Sequence, residues 1–429
     1  MARVAKPAAS AVTVTCKARV PDPDPSPMRA SLSITMLLAS LAWPARAAAD
    51  PFDDCLTGLR KTAPGRRIDA VTWRLVEGLR PDPVVLAALN AQPEFTMRVW
   101  DYLAVMADEE RVEDGRRLMK QHHAIFDTVS RKYAVDAAVI AAIWGIESNF
   151  GRGTGSVSVL PALATLSCAG RRQSYFRGEL FSALRIVQAG HIPADRFRGS
   201  WAGAFGQTQF MPSTFWWRAV DFDGDGRRDL MNNIGDALAS TANYLKQSGW
   251  RAGMPWGVEV RLPGGDEASV FARGEGRRIR RPVATWAARG VTRADGSPLP
   301  DASLDASLPV GLFTPAGPRG PAFLVTRNFG VVFSYNGAES YVLAVVHLAD
   351  RLRGGGSFVT PWPTDDLGLS RADRRELQQR LAARGHDTGA PDAILTPKII
   401  AAVRVEQQRL GVPVTGRPGQ QLLSALRAR

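Results

Sequence analysis

Val139-Ile140-Ala141-Ala142-Ile143-Trp144-Gly145-Ile146-Glu147 is the stretch on which the reading of this chain turns. Its residues are apolar almost without interruption, so it reads as a largely apolar helix in a mainly α fold. On a period of 3.6, Glu147 falls on the face of Ile140, Ile143 and Trp144. A carboxyl group on such a face is desolvated, and desolvation favours its protonated form. It can then hold a proton near neutral pH and deliver it to a leaving oxygen. The plainer alternative is a capped or ion-paired glutamate at a helix end. Ser148-Asn149-Phe150-Gly151 follows with a glycine stop, which puts Glu147 in the last turn, at a rim rather than in mid-core.

Outward from this helix the pattern stays helical. Residues 52 to about 101 read as helix, broken at Pro81 and Pro83. Arg111–Tyr133 and Asp136–Glu147 form a pair joined at Ala134-Val135, and further helices are expected at 177–189, 235–249 and 341–353. Between 257 and about 327 the period changes. Val258-Glu259-Val260-Arg261-Leu262 alternates, and Gly, Pro and Asp punctuate short β-like runs. Gly354-Gly355-Gly356-Ser357 through Pro361-Trp362-Pro363 reads as a linker, 354–366, ahead of a separate segment at 367–429.

The 429 residues, 45% hydrophobic and 22% charged, suit two or three globular domains rather than a disordered chain. Residues 1–49 are expected to be a leader. Arg29 precedes an apolar stretch from Leu32 to Trp43, and Ala45-Arg46-Ala47 offers small residues for cleavage, with Met28 as the expected true start. No cysteine stands at the cleavage point, so no lipoprotein anchor is indicated. Cleavage there leaves Cys55 and Cys168, an even pair that in an oxidising compartment suggests one disulfide, the alternative being two buried thiols. The formal charge is +13, of which residues 1–47 carry six basic and two acidic side chains, leaving about +9. A basic surface suits an anionic polymer. Nucleic acid would fit equally well by charge, yet no recognisable nucleic-acid module is present.

Three blocks in order identify a family. Gly145-Ile146-Glu147-Ser148-Asn149-Phe150-Gly151, then Leu160-Pro161-Ala162-Leu163-Ala164-Thr165-Leu166, then Gly203-Ala204-Phe205-Gly206-Gln207-Thr208-Gln209-Phe210-Met211-Pro212-Ser213 resemble the membrane-bound lytic murein transglycosylase B family. The resemblance covers about residues 55–350. It implies a lysozyme-like α+β catalytic domain at 50–353, with a small inserted β region, that cleaves the glycan strands of peptidoglycan in the periplasm. Such enzymes manage with one carboxylate, here Glu147, where a hydrolysing glycosidase usually needs two. The resemblance also implies substrate contacts from Ser200 and Gln209, and from Tyr244, Tyr335 and, across a weaker stretch, Tyr102. Each tyrosine taken alone reads equally well as a packing residue.

Asp221-Phe222-Asp223-Gly224-Asp225-Gly226-Arg227 reads as the start of a calcium loop. Asp221, Asp223 and Asp225 occupy positions 1, 3 and 5, and Arg227 offers its carbonyl at 7. Position 12 is Asn232 rather than glutamate; the family closes a lengthened loop with a later aspartate, which points to Asp236. No cofactor is expected for the chemistry itself, and a solvated Asp/Gly turn is the alternative to a structural calcium.

Beyond the linker, Leu377-Gln378-Gln379-Arg380-Leu381, Asp392, Thr396, Ala401-Ala402-Val403 and Gln407-Gln408-Arg409-Leu410-Gly411 resemble the small three-helix peptidoglycan-binding module of wall hydrolases. Two positions depart from its pattern. Glu406-Gln407 replaces an aromatic-Gln pair, and Asp392-Ala393 replaces Asp-Gly, which bears on ligand binding more than on the fold. A module behind a flexible linker is expected to be separable, so that its removal leaves cleavage of small glycans unchanged. Two other functions stay open: a hydrolytic muramidase that uses Asp221 or Glu179 as a second carboxylate, and an idle wall-binding protein.

Overall fold

Asp136 opens the central helix by accepting a hydrogen bond from the Ala138 N–H at 2.7 Å. The computed structural model describes residues 50–89, 97–264 and 271–428; the expected leader, 1–49, lies outside them. The helix runs Ala137–Ser148, and every residue from Ala138 to Gly145 is buried. Fully buried side chains such as Ile140 and Ile143 each contribute roughly 1.5–3 kcal/mol relative to exposure. Glu339–Leu352, buried from Tyr341 to Ala349, packs lengthwise against it. Val99–Met106, Glu109–Gln121, His123–Tyr133 and Ile234–Gln247 enclose the pair.

A second core lies on Val159–Cys168, which packs against Gln173–Gln188 and carries Pro51–Arg60 on its flank. Cys55 and Cys168 are bonded across this contact, with Cα atoms 5.8 Å apart. The short strands β1 (Val157–Ser158) and β2 (Arg198–Gly199) pair antiparallel and lead into a tight turn, residues 200–204. The inserted β region is a five-stranded antiparallel sheet. Its strands are β3 (Gly257–Arg261), β4 (Arg280–Pro282), β5 (Thr292–Arg293), β6 (Pro309–Phe313) and β7 (Ala322–Val325), in the order β4-β6-β7-β3-β5. The helix Val283–Ala288 covers it through Val283 and Trp286. Three helices, Arg371–Ala383, Pro397–Leu410 and Gln420–Arg427, make the C-terminal module around Leu377, Leu381, Val403 and Leu423. The chain is therefore mainly α with a small sheet, as its periodicity predicts.

Four details differ from the sequence reading. The expected helix 111–133 is two helices that share His122 as terminator and starter; the apolar spacing continues across it and gives no warning. Among the described residues of 52–101 the helical stretch is broken after Arg60 and Trp73 as well as before Pro83, into Pro51–Arg60, Gly65–Arg67, Ala70–Trp73 and Pro83–Ala88, with Val99–Met106 beginning at its end. The central helix stops at Asn149 (φ 50°), two residues before the glycine, because asparagine tolerates the left-handed region. The presumed linker is a packed strap. Glu259 accepts hydrogen bonds from the N–H groups of Val359 and Thr360 at 2.7 Å each, and Phe358 stacks on His347 with ring centroids 4.1 Å apart.

The Cys55–Cys168 bond closes a loop of 113 residues, so chain entropy assigns it about 4–5 kcal/mol as an upper figure. Replacing both residues (Cys55→Ser with Cys168→Ser) is expected to lower the unfolding free energy by about 2–5 kcal/mol in urea titrations. An unchanged midpoint would contradict that role.

Candidate functional site

The last turn of the Ala137–Ser148 helix delivers Glu147, half-buried, to the wall of a cavity of about 740 Å³. The turn is fixed from below. Phe150 folds back under the helix so closely that a Cβ on Gly145 would sit 2.7 Å from its ring, which is why glycine stands there. Ser148 Oγ donates to the Gln207 carbonyl and accepts from the Gly151 N–H. Trp144 Nε1 donates to Gln207 Oε1 at 3.0 Å. The first and third sequence blocks therefore lock together through Gln207. The second block lies beneath the third: Leu163 fills the space where a Cβ on Gly203 (φ 86°) would be.

Tyr341 Oη donates to Glu147 Oε1 at 2.6 Å. Sequence reasoning placed Tyr341 only as the start of a helix and missed this contact. The available signal was its spacing from Tyr335 across the turn at Gly337, which stacks the two rings nearly parallel, 9° apart with centroids at 6.4 Å. Burial pushes both phenols well above their ordinary range, and the negative charge of Glu147 adds to it. Each is thus held as a neutral donor. Tyr335 lines the cavity and donates to the Thr208 carbonyl at 2.8 Å. Tyr244 meets Tyr335 edge-on at 4.8 Å and donates to the Ser334 carbonyl.

The remaining candidates fall in different places. Gln209 lines the cavity with φ 52°, and its Nε2 donates to the carbonyls of Thr154 and Gly206 at 2.9 and 3.0 Å. Both donor hydrogens are thereby engaged, and the carboxamide oxygen is the part left for a ligand's N–H or O–H. Ser200 Oγ accepts from the Ala204 N–H, closing the turn whose Trp201, Ala202 and Ala204 form the adjacent wall; Ser200 itself does not line the cavity. Tyr102 is buried, 4% exposed, close enough to Tyr341 to act on it electrostatically, and is not among the residues that line the cavity. Glu179 is buried and accepts from the N–H and Oγ of Ser213. Among the described residues, Glu147 is the only carboxylate that lines the cavity.

Elsewhere, carboxylate oxygens of Asp221, Asp223 and Asp236 lie within 4.8 Å of one another. Asp236 is fully buried and accepts from the N–H groups of Phe222 and Asp229 at 2.8 and 2.7 Å. Burial, aided by the charges of Asp223 and Asp221, pushes its carboxyl above the usual range. Asp236 is buried, Asp221 partly so and Asp223 exposed, and three converging carboxylates are a donor set that a hard divalent cation fits. Asp225 accepts from the Arg227 N–H and is not among the converging groups, so the loop is gathered by a different trio from the one the spacing suggests.

Comparison with known proteins agrees with this geometry. Residues 51–350 match the Transglycosylase SLT domain family, and residues 370–426 match a Putative peptidoglycan binding domain. The chain is 32% identical over 246 residues to membrane-bound lytic murein transglycosylase B of Escherichia coli, covering 56% of this chain and 63% of that relative's length. It is similar to the crystal structure of SltB3 from Pseudomonas aeruginosa in complex with NAG-anhNAM-pentapeptide, at 48% identity and a TM-score of 0.68, over 88% of this chain and 99% of that one. It also resembles the Escherichia coli lytic transglycosylase SLT35 in complex with calcium, at 26% identity and a TM-score of 0.60, over 72% of this chain and 94% of that one.

The tyrosine pair gives a direct test. An ordinary phenol ionises near pH 10, whereas Tyr335 and Tyr341 remain protonated well above it. At about pH 11, with the chain still folded, Tyr341→Phe is expected to leave the 295 nm phenolate absorbance unchanged. A drop equal to one tyrosine's amplitude would mean that Tyr341 titrates normally.

Proposed function

We propose that the chain, which belongs to the transglycosylase SLT family, is a lytic transglycosylase that cleaves the β-1,4 bond between N-acetylmuramic acid and N-acetylglucosamine in peptidoglycan. The observation that carries this reading is Glu147 as the one carboxylate, among the described residues, that lines the cavity, held by a hydrogen bond from a protonated tyrosine. Glu147 protonates the glycosidic oxygen as the bond breaks. The resulting carboxylate then takes a proton from the C6 hydroxyl of the same muramoyl sugar, whose oxygen attacks C1 and closes a 1,6-anhydro ring. One proton leaves the carboxyl and one returns, and no water is consumed. Tyr341, fixed as a donor, stabilises the carboxylate between the two steps. Gln209 and the 200–204 turn orient the sugar, and Tyr335, backed by Tyr244, forms the wall beside it.

Two further parts belong to this reading. Asp221, Asp223 and Asp236 would hold a structural calcium, a role supported by the calcium complex of SLT35. The enzyme works in the periplasm, where peptidoglycan lies and the Cys55–Cys168 bond persists. A hydrolytic muramidase is less well supported, since Glu179 is sequestered on Ser213 and Asp221 lies in the calcium loop.

On purified sacculi the enzyme is expected to yield 1,6-anhydromuramoyl ends by mass spectrometry. Glu147→Gln, which keeps the shape but cannot cycle a proton, should fold normally and lose at least about two orders of magnitude in rate. Reducing ends as the main product would establish a hydrolase instead.

Calcium at saturating concentration should raise the melting temperature near pH 7, since an ion bound only to the native loop stabilises it by mass action. Protons compete for the same oxygens, so the rise should fade as the pH falls toward 4. Asp221→Asn with Asp223→Asn should abolish it. Equal curves with calcium and with chelator at neutral pH would leave the loop an ordinary turn.

A further inference from the structure

The C-terminal module reaches the turn that closes the Glu147 helix. Arg371, the first residue of the module's first helix, donates through Nη1 to Asn149 Oδ1 at 2.8 Å. Its Nε and Nη2 donate to the two carboxylate oxygens of Asp108 at 2.8 and 3.0 Å, and its backbone N–H donates to Asp108 as well. The pair is desolvated, with 14% of the Arg371 side chain and 2% of that of Asp108 exposed. A planar guanidinium gripping one carboxylate in two places has little freedom left, so the nitrogen facing Asn149 is aimed.

Asn149 stands two residues after Glu147 and begins a run of left-handed backbone: Asn149 φ 50°, Phe150 φ 60°, Gly151 φ 82°. For residues other than glycine such conformations are disfavoured and persist only where the surroundings enforce them. The catalytic domain supplies the capping backbone bonds from the Asn149 and Phe150 N–H groups to the Gly145 and Trp144 carbonyls, the Ser148 hydroxyl on Gln207 and Gly151, and the Phe150 ring against Gly145 and Gly115. The Arg371 hydrogen bond is the restraint on the Asn149 side chain, and it comes from the module. The module is itself held fast, by Arg417 on Asp101 and Asp366 and by Arg375 on Glu110.

We propose that Arg371 is a positioning residue for Glu147, which makes the peptidoglycan-binding module part of the catalytic apparatus as well as a wall anchor. The inference rests on the reading of Glu147 as the acid and base. A carboxyl that must reach first a glycosidic oxygen and then a C6 hydroxyl tolerates little displacement, since a misplacement of about 1 Å can cost two orders of magnitude. The coupling replaces the expectation that the module is a separable tether.

The test uses the full chain and soluble, purified glycan strands. Arg371→Ala and Asn149→Gly, the latter keeping the left-handed backbone without the side-chain acceptor, should each lower kcat by about tenfold with KM nearly unchanged. The double variant should be no slower than the slower single one, because both remove the same contact. Arg375→Ala weakens the same interface without touching Asn149 and should stay within about twofold of the parent. Arg371→Lys keeps the charge on Asp108, so it should fold as the parent does while losing most of the same activity. Amide exchange across residues 145–151 should quicken in Arg371→Ala and in Asn149→Gly, a readout that does not depend on what the enzyme cleaves. Unchanged exchange, or additive losses in the double variant, would overturn the positioning role. A parent enzyme that releases no anhydro ends would instead overturn the functional reading.

Discussion

A carboxylate set at the end of a wholly buried helix is the constraint around which this molecule is arranged. Ala138 to Gly145 leave no polar side chain to share the burden, so Glu147 must find its stabilising partner on another element. It does so on Glu339–Leu352, the helix that packs along it, through Tyr341. Burial fixes that phenol as a donor, and the stacked Tyr335 carries the arrangement out to the cavity wall. The placing of Glu147 is thus a property of two packed helices, while Tyr335 on Arg327–Asn336, Tyr175 and Phe176 on Gln173–Gln188 and the 201–204 turn complete the wall.

Regular elements were legible in the sequence because their signals are local. The apolar run 139–146 and the alternation at 258–262 each report a period that burial enforces, whereas the three-helix module was read from its resemblance to a known one. Glu147 was legible as a candidate for the same reason, as a polar residue on an apolar face. Tyr341 was not, because its meaning depends on a helix almost two hundred residues away. Tyr102, expected to contact substrate, is buried beside Tyr341, and nothing in its own sequence neighbourhood distinguishes a packing residue from a cleft residue. In the acidic loop, spacing named five residues, yet which carboxylates converge depends on how the chain folds back: Asp236 turns in and Asp225 turns to its own backbone.

Glycine and its substitutes show the same division. A glycine stop after Glu147 was an economical reading, but Asn149 takes the left-handed position first. In the module, Ala393 stands where an Asp-Gly pair would supply glycine and still adopts φ 68°. Its N–H donates to Gln378 Oε1 at 2.7 Å while Gln378 Nε2 donates to Asp392, so a buried side chain enforces a backbone that alanine alone would avoid. The departure from the pattern therefore keeps the turn at some cost in strain, and the fold of the module survives it.

The glycine-rich segment at 354–357 misled for a related reason. Composition describes what a chain does when nothing holds it, and here Glu259 and the His347 ring hold the residues that follow it. Once the strap is packed, Arg371 arrives at Asp108 at little further entropic cost, since the chain leading to it is already ordered. A wall-binding module on a free tether would change only the local concentration of substrate. One that is docked through a desolvated ion pair shares its position with the helix that carries Glu147, because Arg371 contacts Asn149 in the turn that ends it.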